Sequence, residues 1–62
     1  MTNSQEKLFK YYYNLMSDEF RQEIQGYEDF KMDNVNCSVK VNFKNGDWIR
    51  LYQKLNAQVE WY

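Results

Sequence analysis

Sixty-two residues with a net charge of −1, no histidine, no proline and one cysteine exclude several classes at once. A chain this short sits near the lower limit for a self-sufficient core, yet it lacks the thiols for a disulfide framework and the ligands for a structural zinc. Its near-neutral balance singles out no polyanion or polycation, and no apolar run reads as a signal peptide or a membrane span.

What remains for stability is a rich core or a partner. Six Tyr, four Phe and two Trp supply the area, since each such ring can bury about 150–250 Å². The lone thiol fits a reducing compartment, so the expected location is cytoplasmic. Plentiful Asn, Lys and Tyr without Pro fit an AT-rich genome, such as that of a low-GC bacterium, its phage or a mobile element. Charge is unevenly spread: residues 1–34 hold seven acids and four bases, residues 35–62 four bases and two acids.

The first element in chain order is a helix over residues 4–16. Asn3 and Glu6 make a loose capping box, and Leu8, Phe9, Tyr12, Leu15 and Met16 fall on one stripe. Tyr12 is expected inside, with Tyr11 and Tyr13 flanking. Phe20, Ile24 and Tyr27 form a second stripe rotated from the first, so the chain is expected to bend at Ser17 and a second helix to cover residues 18–25, closed by Gly26, with a single curved helix as the competing reading. "YEDFKMDNVN" reads as irregular, anchored by Phe30 and Met32. Its acids lack the spacing of a calcium loop, so no metal is expected there.

Three strands follow, over residues 37–43, 47–53 and 57–62. A two-residue Asn45-Gly46 turn would put Arg50 and Lys54 on the same face as Val39 and Val41. A three-residue loop, Lys44-Asn45-Gly46 with Gly46 left-handed, instead pairs Val41 with Ile49 and Val39 with Leu51. It keeps Cys37, Val39, Val41, Phe43, Ile49 and Leu51 together, and that decides the register. The next loop is expected at Lys54-Leu55-Asn56 with Asn56 left-handed, pairing Leu51 with Val59, Ile49 with Trp61, Arg50 with Glu60, Tyr52 with Gln58 and Trp48 with Tyr62. The expected fold is α+β: one or two N-terminal helices on one face of a three-stranded antiparallel meander, a single domain over residues 1–62.

Two helices cannot cover both faces of that sheet. Lys40, Trp48, Arg50, Tyr52 and Tyr62, with Lys54 beside them, therefore stand on the open face as the candidate partner-binding residues. Trp, Tyr and Arg dominate protein-binding hot spots, so the expected partner is another protein, or a second copy in a homodimer through this face or an edge strand. A phage- or element-encoded modulator of a host protein suits the size. The competing function is single-stranded nucleic acid, with bases on Trp48 and Tyr52 and phosphates on the three cations; Glu60 within the patch and the acidic balance weigh against it. A third account needs no function, because aromatic residues favour strands and pair across them even when wet. An enzyme has least to stand on. There is no histidine, no phosphate loop and no triad, Cys37 faces the core, and the chain leaves little room for a pocket. No catalytic residue and no cofactor are expected.

Overall fold

The computed structural model describes residues 1–62. Helix α1 spans Asn3–Leu15 and a single turn, α2, spans Asp18–Arg21; strands β1 (Ile24–Asp29), β2 (Val35–Phe43), β3 (Trp48–Lys54) and β4 (Val59–Trp61) follow. The four strands form one antiparallel sheet in the order β1-β2-β3-β4. The α+β class and the helix-covered meander stand as expected, with one strand more than the sequence predicts.

That strand is β1, placed where the sequence predicts a helix over residues 18–25 and an irregular stretch after it. Its pairing explains the misreading. Ile24 lies opposite Phe43 and Gly26 opposite Asn42, so Gln25 is an extra, bulged residue. The bulge puts Ile24 and Tyr27, three apart, on the same face. Three apart is helical spacing, so the strand carries a helix-like pattern. Gly26 accordingly sits inside the strand and not at a helix end. A second bulge at Asn36 starts β2 two residues before the predicted boundary.

Helix α1 begins one residue earlier than predicted because Thr2, not Asn3, is its cap. The Thr2 Oγ1 accepts from the Gln5 N–H at 3.2 Å and the Thr2 N–H donates to Gln5 Oε1 at 3.0 Å. The same Gln5 side chain, nearly buried, donates through Nε2 to Asp29 Oδ1 at 2.6 Å and to the Ser38 carbonyl at 3.0 Å. Tertiary contacts thus reinforce the Thr2-x-x-Gln5 capping box. The bend at Ser17 is as expected: its Oγ accepts from the Phe20 N–H at 3.1 Å. Arg21 then reaches back and donates to the Tyr13 and Asn14 carbonyls at 2.9 and 3.2 Å, tying α2 to the last turn of α1.

The core is Leu8, Tyr12, Val39, Val41 and Leu51, with Phe9, Met16, Ile24, Tyr27, Cys37, Phe43, Ile49 and Val59 packed around it. Helix α1 lies over β2 and β3. Phe9 stacks on Tyr27 of β1 at 4.1 Å between ring centroids, and Tyr12 meets the edge of Trp61 of β4 at 4.9 Å. Leu15, predicted on the buried stripe, is exposed because α1 ends there and Met16 takes the inward position. Cys37 lies on the core face but only half-buried, its Sγ 3.9 Å from the Ser4 carbonyl oxygen.

The β2–β3 hairpin follows the predicted register, with Val41 opposite Ile49 and Val39 opposite Leu51. Gly46 has φ +93°. The Phe43 N–H donates to the Asp47 carbonyl at 2.9 Å and the Gly46 N–H to the Phe43 carbonyl at 3.0 Å, closing the three-residue loop. The β3–β4 register differs from the prediction by two residues. Leu51 faces Trp61, Tyr52 faces Glu60 and Gln53 faces Val59, while Arg50 and Tyr62 exchange both backbone hydrogen bonds. The loop is Leu55-Asn56-Ala57, and Ala57, at φ 74°, takes the left-handed position expected for Asn56. A shift of two leaves every side chain on its predicted face.

Candidate interaction face

The sheet face away from α1 carries an aromatic and cationic assembly. Its side chains come from all four strands because strand parity sends Glu28, Lys40, Asn42, Trp48, Arg50, Tyr52, Glu60 and Tyr62 the same way. All five residues singled out in the sequence, Lys40, Trp48, Arg50, Tyr52 and Tyr62, are therefore together. Trp48 is 39% exposed and Tyr62 63%.

Arg50 is the centre of this face. Its guanidinium carbon lies 4.7 Å from the Trp48 ring centroid and 4.8 Å from that of Tyr62. The Lys40 ammonium also lies over Trp48, at 4.7 Å. Tyr62 in turn meets Tyr52 edge to face at 6.1 Å. The order is thus cation, indole, guanidinium, phenol, phenol, with each ring quadrupole next to a positive group or another ring. Phe30 extends the assembly, its ring 5.7 Å from Trp48. In the sequence Phe30 reads only as a loop anchor. Its parity with Glu28 places it here once β1 is recognised.

The acids on the face are engaged at its margins. Glu60 does not pair with Arg50, as the predicted register requires. It accepts from the Tyr52 hydroxyl at 2.9 Å and lies 3.7 Å from the Lys54 ammonium. That carboxylate, acting first through the hydrogen bond, pushes the Tyr52 hydroxyl above the ordinary tyrosine pKa. Glu28 stands opposite Lys40 on β1, but its carboxylate takes a hydrogen bond from Asn42 at 3.0 Å. Neither Lys40 nor Arg50 forms an ion pair within 4 Å or a side-chain hydrogen bond.

Elsewhere the chemistry is sparse. No three His, Cys, Asp or Glu side chains gather as a metal site would require. Burial pushes the Cys37 thiol pKa up, which favours its protonated form. The concavities are open grooves of about 460–810 Å³, larger than the chain length suggests. No helix is long and apolar enough to cross a membrane. Set against family models, curated proteins and solved structures, the chain matches none.

Proposed function

We propose that this is a small non-catalytic protein-binding domain acting in the cytoplasm, and that it engages its partner through the open face of the sheet. The observation that carries this reading is the Lys40–Trp48–Arg50–Tyr62–Tyr52 assembly, half-buried to exposed and joined by ring and cation contacts. Rigid aromatic groups lose little conformational entropy when a partner covers them. The small core, five buried apolar residues, also leaves stability to be gained by binding. The modulation of a host protein by a phage or mobile element is a role that such a domain would suit.

Single-stranded nucleic acid is the second reading, favoured by Arg50 being free of Glu60. Against it, Lys40 and Arg50 already lie over the Trp48 ring, which leaves less of it for a stacking base. Light scattering and affinity capture with the wild type, Trp48→Ala and Tyr52→Ala decide the matter. Each substitution is expected to weaken partner association by about 1–4 kcal/mol, the range for hot-spot truncations. Capture that persists in both variants removes the open face from consideration. Ionic strength separates the two classes, since phosphate binding by about three cations would give a log–log salt slope near −2 on a single strand.

A further inference from the structure

On an ordinary sheet surface, residues directly opposite each other on neighbouring strands carry opposite charges or none, because like charges there destabilise the pairing. Lys40 and Arg50 are directly opposite each other on β2 and β3. Both are positive, and both lie over the same indole at 4.7 Å. The carboxylates close enough to neutralise them are turned away, Glu28 to Asn42 and Glu60 to Tyr52 and Lys54. A local rule is broken, and no Asp or Glu side chain lies within 4 Å of either cation. Such breaks mark functional positions.

From this juxtaposition we infer that Lys40 and Arg50 form a seat for a single carboxylate, an Asp or Glu side chain in an acidic segment of the partner protein, with Trp48 and Tyr62 as its apolar walls. The inference rests on the open face being a protein interface and adds what the partner must present there. The Arg50 guanidinium carbon lies within 5 Å of both ring centroids, so the rings restrict its fork of N–H donors before binding. A fork so restricted suits the two oxygens of a carboxylate. The two cations converge on one ring and the acids flank them on β1 and β4. That arrangement is a point site, unlike the continuous track of cations that a phosphate backbone follows. A second copy of this chain is a poor occupant. A two-fold interface centred here sets the same patch against itself, cation cluster upon cation cluster.

A random-peptide display library selected on the immobilised protein, with counter-selection on Trp48→Ala, tests this even while the natural partner is unidentified. Selected peptides should be enriched in Asp or Glu. Replacing the critical acid by its amide should weaken binding about tenfold or more, as should Arg50→Gln in the protein. Arg50→Lys, which keeps the charge and loses the fork, should rescue only part of the loss. Unchanged circular dichroism and melting of the Arg50 variants separate loss of binding from loss of fold. Peptides that need Trp48 but ignore both amidation and Arg50→Gln overturn the carboxylate seat and leave the protein-interface reading standing. A selection that yields no Trp48-dependent peptide overturns both, and saturable binding of an oligo-dT probe would then assign the face to nucleic acid. A dimer that Arg50→Gln dissociates would put a second copy on the face and overturn the assignment to a separate protein.

Discussion

The two hairpins that share β3 close in the same way and differ in what they leave unpaired. In each, an Asn at the middle of a three-residue loop accepts from the N–H two residues on, Asn45 from Asp47 at 2.9 Å and Asn56 from Gln58 at 3.1 Å. In each, the next residue is left-handed: Gly46 in the first loop and Ala57 in the second. On the open face the hairpins part. The β3–β4 pair Tyr52–Glu60 satisfies itself by a hydrogen bond, whereas the β2–β3 pair Lys40–Arg50 sets like charges opposite each other. One hairpin is completed internally. The other sets two cations opposite each other with no side-chain acid within 4 Å, which is the feature the proposed recognition builds on.

Removing what the hairpins share should have the largest effect. Leu51 on β3 is fully buried between them and α1, and Leu51→Ala should cost about 2–5 kcal/mol in denaturant unfolding. Next comes the residue that distinguishes the loops. An added Cβ at Gly46 would meet no atom within 4 Å, so the cost of Gly46→Ala lies in the backbone alone. The left-handed conformation costs a residue with Cβ about 1–2 kcal/mol, of which stiffening the unfolded chain returns about 0.4–1, leaving a loss of about 1 kcal/mol to be read from the same unfolding curves.

The mirror experiment, Ala57→Gly, should stabilise by about 0.5–1 kcal/mol for the same reason. The double variant should then fall close to wild type if the loops act independently. Destabilisation by Ala57→Gly would show that the methyl group does something the backbone angle does not reveal.

The smallest effect tests the self-satisfied pair. Because Glu60 raises the folded-state pKa of Tyr52, the stabilising contribution is fully present below the ordinary tyrosine value of 10.0 and is lost as pH rises through the higher folded value. Burial raises Tyr12 as well, with the same sign. The alkaline loss of stability should therefore shrink in Tyr52→Phe without disappearing. Ultraviolet titration of tyrosinate should show one group shifting down in Glu60→Gln.

The same two loops show what a sequence discloses. Asn45-Gly46 names its left-handed residue, and the parity of six apolar side chains then leaves one register, so the core face and the open face are both legible. Asn56-Ala57 hides the left-handed position behind an alanine, and the predicted register slips by two residues without changing a face. Arg50 is consequently matched with Glu60, and its lack of a carboxylate, the most informative feature of the site, emerges only from coordinates. Strand β1 is concealed by its own bulge at Gln25, and Phe30 is missed with it. The cap of α1 is misplaced because Thr2-x-x-Gln5 and Asn3-x-x-Glu6 both offer a capping box, and contacts with Asp29 and Ser38 favour the one that uses Gln5.

That last residue gives the helix an unusual dependence. Helix ends ordinarily fray, exchanging their first amide hydrogens without disturbing the rest of the molecule. Gln5 ties the first turn of α1 to β1 through Asp29 and to β2 through Ser38. The Gln5 amide hydrogen is held by Thr2 Oγ1, in a cap that the Gln5 side-chain carbonyl oxygen in turn supports. Releasing that turn means giving up contacts to two strands at once. The Gln5 amide should therefore exchange with solvent deuterium only when the whole sheet opens, as slowly as the amides of Val39 and Val41, and Gln5→Ala should return it to the fast exchange of a free helix end.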